Sequence, residues 1–319
     1  MRKKPGILCL LIFIWIFFLK WPPAAAQNIA AYELRACQYL AKDEVDDAIE
    51  ILEAILKANP DNLNAQLYMG VASYMKKDFE EASKRFEKVE KEVDRMLGSG
   101  RPMGDSAMFA QMAMDRKSGV LFSEEQKGLL YFCRGLTLMA QKDLKNAEKR
   151  FNNARKLEYD NTSINLQLFD LYIKRKNLKS AAKQLAEYKG AKGEDEISIF
   201  LDGYLKSRNN KFQEALAAFE KVDPANLEAR KNIARLYYNS ADYQKSVEIW
   251  QDILTQHQND KDALIGIGRA YYHLDDSAKA QEFFTLAELE ISPDRYSPKT
   301  VQLAYETQLS EVKFDIKCK

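Results

Sequence analysis

A small residue recurs along this chain, and a second small residue follows it twelve positions later. Ala36 is followed by Ala48, Gly70 by Ala82, Gly135 by Ala147, Gly203 by Ala215, Ala234 by Ser246 and Gly268 by Ala280. Phe169 before Ala181 is the large exception. Four residues beyond each second member stands a bulky apolar side chain: Leu52, Phe86, Phe151, Leu185, Phe219, Trp250 and Phe284. Three further on come Ile55, Val89, Ala154, Tyr188, Val222, Ile253 and Ala287. The second members are spaced by 34, 65, 34, 34, 31 and 34 residues. Periods of this length mark stacked arrays, in which each unit buries its apolar face against the next. Two antiparallel helices touch closely only where a small side chain faces the partner, and bulky residues then fill the groove to the following pair. A generic helical bundle would not keep the twelve-residue spacing.

The rest of the pattern agrees. Polar pairs precede an aromatic or Leu at Lys77-Asp78-Phe79, Lys142-Asp143-Leu144, Asn210-Lys211-Phe212 and Ala241-Asp242-Tyr243, where a turn between helices belongs. Pro60 and Pro224 stand where helices should stop. Only 13 Gly and 8 Pro occur in 319 residues, while 30% are charged, a composition suited to helices. The residue order resembles the tetratricopeptide repeat over roughly Ile29 to Ile291, in seven units. The resemblance implies an all-α, right-handed α-solenoid of about seven helix–turn–helix units. It also implies a concave surface lined by the first helix of each unit, and a binding rather than catalytic role.

The ends and one interruption fall outside the array. Arg2, Lys3 and Lys4 precede an apolar run from Ile7 to Leu19, and Ala24-Ala25-Ala26 follows. This order reads as a signal peptide over residues 1–26, cleaved after Ala26, and implies a periplasmic or secreted protein without a stable transmembrane span. The formal charge of +1 contains four basic residues and no acid from that segment, so the remainder carries −3. Cys37 and Cys133 lie in helical patterns and read as buried small apolar residues, while Cys318 is left open to a disulfide, an intermolecular one in the first instance.

Units 1–2 occupy residues 27–93 and units 3–7 residues 128–293. Residues 94–127 form a Gly- and Met-rich insertion or a decayed repeat, with Met96, Met103, Met108, Met112 and Met114. Ser123 to Gln126 resembles a capping box that starts a helix at Glu124. In residues 294–319, Val301, Tyr305, Leu309, Val312 and Ile316 form a stripe at helical spacing, read as a capping helix from about Pro298.

No catalytic constellation is legible, and no cofactor is expected. His257 and His273 are the two histidines, and no C-x-x-C, G-x-S-x-G or H-E-x-x-H pattern occurs. Near-zero net charge argues against nucleic acid. Projecting the helical period places Glu33, Leu67, Val71, Tyr74, Phe132, Leu136 and Met139 on the early groove. Tyr204, Arg208, Lys231, Arg235, Tyr238, Arg269, Tyr272 and His273 fall on the late groove. The early part is thus expected to be apolar and the late part basic-aromatic, which suits a protein or peptide partner, acidic or C-terminal ones included. Resemblance to extracytoplasmic repeat proteins points to a scaffold serving cell-envelope assembly, secretion or export. Export of an anionic polysaccharide is the alternative. A metal-handling role for the Met-rich insertion, whose thioethers are soft ligands, ranks below both.

Overall fold

The computed structural model describes residues 25–97, 122–289, 296–306, 309, 316 and 318. Fourteen helices and no strand are found among them, an all-α helical repeat solenoid. The signal-peptide reading and the loop-or-repeat question for the insertion lie outside the described residues. The capping box does not. Ser123 accepts from the Gln126 backbone, the Gln126 side chain accepts from Ser123 N–H, and the helix begins at Glu124.

The chain divides into two compact units, Met1–Asp160 with Asp315–Lys319, and Asn161–Phe314. In the first, three helix pairs are α1 (Ala25–Ala41) with α2 (Val45–Ala58), α3 (Leu63–Met75) with α4 (Phe79–Leu97), and α5 (Glu124–Ala140) with α6 (Leu144–Lys156). In the second, four pairs are α7 (Asn161–Lys174) with α8 (Leu178–Lys192), α9 (Glu196–Arg208) with α10 (Phe212–Phe219), α11 (Leu227–Asn239) with α12 (Tyr243–Gln256), and α13 (Lys261–His273) with α14 (Ser277–Leu286).

Each pair closes by the same local chemistry. Asp43, Lys77, Lys142, Lys176, Asn210, Ala241 and Asp275 all have φ between 58° and 68°. The next residue then donates its N–H to the carbonyl five positions back, as in Asp78 to Ser73 and Asp242 to Tyr237, both 2.9 Å. This is a Schellman closure, which satisfies carbonyls that the helix end would leave open. Side-chain caps start the helices on either side of these turns. Asn62, Asn226 and Asp260 accept from Ala65, Ala229 and Ala263 at first helices, and Asp143, Asn177, Asp242 and Asp276 do the same at second helices.

The small residues sit where the helices of a pair touch. A Cβ added at Gly70 would lie 2.6 Å from the Phe86 ring, and one at Gly135 2.6 Å from Phe151. Gly203 faces Phe219 and Gly268 faces Phe284 at the same sixteen-residue offset. Phe169, the large exception, is fully buried, and the residue sixteen positions on is Leu185 rather than Phe. At this position of the repeat two large side chains, Phe169 and Leu185, share one core cluster in place of a glycine and a ring.

Two expectations fail. Residues 297–305 are not helical, so a capping helix does not begin at Pro298; Glu306 and Leu309, farther along, are helical. Val301, Leu303 and Tyr305 turn inward and Gln302 and Glu306 outward, the period of two of an extended segment. The second failure is Cys37, which is not a free apolar filler but disulfide-bonded to Cys318 within the first unit, with Cα atoms 5.8 Å apart. Cys133 is the buried free thiol among the described residues, and burial pushes its pKa up, as a small apolar filler requires.

Candidate functional site: a peptide-like segment on the first helices

In the second unit the first helices α9, α11 and α13 share one face with α7, and residues 296–306 lie along it. Two asparagines of α11 hold this segment by its backbone. Asn232 donates from Nδ2 to Ala304 O at 2.7 Å and accepts from Ala304 N at 3.1 Å. Asn239 donates to Val301 O at 2.9 Å and accepts from Val301 N at 2.7 Å. The spacings explain the match. Seven helical residues rise ~10.5 Å, and three residues of extended chain cover ~10 Å. Two carboxamides two turns apart therefore meet residues three apart on an extended peptide running opposite to the helix.

Further contacts continue in both directions. Arg269 Nε donates to Tyr296 O at 2.6 Å, and the His273 ring meets Ser297 O at 3.2 Å. Tyr238 Oη donates to Pro298 O. At the other end Tyr305 is buried, lies 4.5 Å from Tyr204 between ring centroids, packs edge-on against Phe169 and donates to Asp170 Oδ1 at 2.8 Å. Burial and the neighbouring Asp170 carboxylate hold the Tyr305 hydroxyl protonated far above the usual tyrosine range. Burial likewise raises Tyr238 and lowers Arg269, so the tyrosine stays a neutral donor.

The predicted late-groove residues are distributed unevenly over this arrangement. Tyr204, Tyr238, Arg269 and His273 touch the segment. Tyr272 packs edge-on against His273, and Arg208 is exposed at the end of α9. Lys231 points to acids instead, and Arg235 to acids and to the Asn232 carboxamide oxygen, to which it donates at 2.9 Å. Lys231 pairs with Asp260 at 2.7 Å and Asp262 at 3.2 Å, and Arg235 with Glu228 at 2.6 Å and Asp262 at 3.3 Å. Burial alone would lower the Lys231 ammonium, but the hydrogen bond it donates to Asp260 and the charge of Asp262 outweigh it and the pKa rises. These pairs compensate two of the cations that suggested an acidic ligand.

The early groove differs more. Leu67, Val71, Phe132 and Leu136 are buried, and Tyr74 and Met139 are half-buried, so they form packing rather than an open apolar surface. Glu33 is buried too, accepting from Asn62 Nδ2 at 2.7 Å and Asn64 Nδ2 at 2.8 Å. Asn232 and Asn239 do not stand out in the sequence beside their charged and aromatic neighbours. Their seven-residue spacing on a first helix was the available signal. Among the described residues no cluster of His, Cys, Asp and Glu could hold a metal ion. No described helix is long and apolar enough to cross a membrane.

The tetratricopeptide repeat profile matches residues 39–95 and 208–263. Those two stretches carry tetratricopeptide repeats. Solved structures share its fold at low identity. A tetratricopeptide repeat protein from Parabacteroides merdae is 11% identical with a TM-score of 0.58, over 89% of this chain and 98% of that one. NprR in complex with its cognate peptide NprX is 16% identical with a TM-score of 0.52, over 90% and 84%. The Cut9–Hcn1 assembly of APC/C is 14% identical with a TM-score of 0.55 over 87% of this chain, which spans about half, 48%, of that chain. No curated protein matches the sequence. Repeats of this kind generally serve as protein-interaction scaffolds rather than enzymes.

Proposed function

We propose that this protein is an extracytoplasmic interaction scaffold whose second unit binds an extended segment of a partner protein. The observation that carries this is the pair Asn232 and Asn239, each exchanging two hydrogen bonds with one residue of an extended backbone. Backbone contacts supply affinity without regard to sequence, and side-chain sites add selection, as in other modes of extended-peptide recognition. A rigid helical array offers the carboxamides already in place, so the ligand bears most of the ordering cost. NprR, with a similar fold, is seen with a peptide bound. An oxidising compartment is supported by the signal-like N-terminus and by the Cys37–Cys318 disulfide. Within that compartment the work proposed is support of an envelope assembly, secretion or export system.

The test uses the full chain with Val301→Pro and Ala304→Pro, which take two N–H donors from the resident segment. A labelled peptide of sequence 296–306 should bind this chain. Adding Asn232→Ala and Asn239→Ala should weaken binding at least about tenfold, the equivalent of roughly one to two lost hydrogen bonds. Equal affinity with and without the asparagines would end the reading. For the compartment, residues 1–26 fused to a reporter active only outside the cytoplasm should yield activity; a silent fusion would remove it.

A further inference from the structure

The segment 296–306 makes the contacts of a bound peptide while belonging to the same chain, and it fills its sites unequally. Tyr305 is completely enclosed. Val301 is not: beside it lies a cavity of about 100 Å³, walled by Tyr238, Trp250, Ile265 and Gly266 and edged by Arg235, Asp262 and Arg269. At ~30 Å³ for a water-sized group, the space takes about three more heavy atoms. Asn232 and Asn239 add no preference at these positions, since they hold main-chain atoms alone.

We propose that residues 296–306 are a resident, displaceable ligand, yielding to an extended partner segment with a bulkier apolar side chain in place of Val301 and a tyrosine in place of Tyr305. This rests on the peptide-binding reading above. A tethered ligand competes at an effective concentration in the millimolar range when its linkers are short. This segment is tethered twice, upstream through α14 and downstream through Cys318, which is bonded to Cys37. An incoming peptide must outbid that local concentration, and filling the cavity offers the means, about fourfold per buried methylene. Opening the disulfide removes one tether and favours the incoming peptide.

Three synthetic peptides serve as probes: the chain's own sequence 296–306, the same with Val301→Leu, and the same with Val301→Asp. Each is titrated against the full parent chain and against the full chain with Val301→Pro and Ala304→Pro. The native peptide should bind the weakened chain at least about tenfold more tightly than the parent. The Leu peptide should bind either chain about fourfold more tightly than the native one, and the Asp peptide more weakly, because Asp262 shares the cavity edge and Arg235 is already paired with Glu228. Equal affinity of the native peptide for both chains would overturn the resident-ligand proposal while leaving asparagine-dependent binding standing. A Leu peptide no tighter than the native one would overturn the cavity as a specificity site.

Loss of all asparagine dependence would strike the peptide-binding reading itself. Should the prolines unfold the unit, hydrogen exchange on the parent decides. The Val301 and Ala304 amides should exchange at least about tenfold faster than the α11 amides, as a separately opening segment does. Equal protection would show that the segment opens only with the whole unit, and the proposal would fall.

Discussion

In the second unit the C-terminal segment is held by hydrogen bonds that another extended backbone can make, whereas in the first unit the same segment ends in a covalent bond that only Cys37 can make. The second unit presents two carboxamides, an arginine, a histidine and a tyrosine toward main-chain atoms. The first unit buries Leu67, Val71 and Phe132 and closes on itself through Cys37–Cys318. On the proposed reading one region exchanges its ligand, while the other is held covalently. That division suits a scaffold, in which one part must stay folded while another trades ligands.

The strongest way to break the contrast is to remove the covalent bond. Cys37 and Cys318 are 281 residues apart in sequence, so their bond closes a long loop and restricts the unfolded chain strongly. Replacing both by Ser should cost about 2–5 kcal/mol, read as a lower denaturation midpoint without reductant. Reductant should move the parent to the same midpoint and leave the variant unmoved. A parent insensitive to reductant would show that the first unit does not depend on this bond.

The repeats were legible in the sequence because their constraint is local and steric. Gly70 against Phe86 and Gly135 against Phe151 leave a one-dimensional trace, a small residue and a ring sixteen positions apart. The tail was not legible for a physical reason. Val301 and Tyr305 fit a helical stripe with Leu309 and equally fit an alternating one with Leu303, and only the surface they meet decides between the two. Nor can sequence pair Cys37 with Cys318, since that contact depends on the path of the whole intervening chain. The candidate site was half legible. Tyr204, Tyr238, Arg269 and His273 followed from helical period, but Lys231 and Arg235 lay one step from the asparagines that meet the backbone. Their own partners, Asp260 and Glu228, sit at helix starts where the repeat pattern says nothing of charge.

The same contrast can be sharpened inside the repeats. A Cβ at Gly70 meets Phe86 at 2.6 Å, whereas one at Gly203 meets Phe219 at 3.2 Å, where a few tenths of an ångström suffice. Ala recovers about 1 kcal/mol of helix propensity at either site, against about 1–3 kcal/mol for overpacking. Gly70→Ala should therefore lower stability by about 1–2 kcal/mol and Gly203→Ala should leave it nearly unchanged. Urea denaturation of both variants checks this, and equal losses would show that these two contacts pack alike.

The smallest effect is one of sign with pH. Glu33 in the first unit has its pKa raised, chiefly by burial, against the opposing hydrogen bonds of Asn64 and Asn62. A raised folded pKa gives stability that is full below the unfolded value and is lost as pH rises through the folded one. Asp260 in the second unit is lowered overall: burial pushes it up, and the Lys231 hydrogen bond and the Ala263 N–H more than offset that. Its contribution is present above the unfolded value near 3.8 and is lost as pH falls through the folded one. Glu33→Gln should thus gain on the parent as pH rises from about 4 to 7, while Asp260→Asn should fall behind the parent lower down, as pH rises from about 2 to 4, each by about 1 kcal/mol or less. Geometry permits both replacements. Asn at position 260 still caps α13. At Glu33, Asn62 is fixed by the Ala65 N–H that it accepts, but the Asn64 carboxamide oxygen has no partner and can turn to accept from the new amide. Denaturation midpoints of both variants across those pH ranges, taken as differences from the parent, read the sign directly. Differences that do not change with pH would mean that neither carboxyl titrates differently in the folded chain, and the electrostatic half of the contrast between the units would be lost.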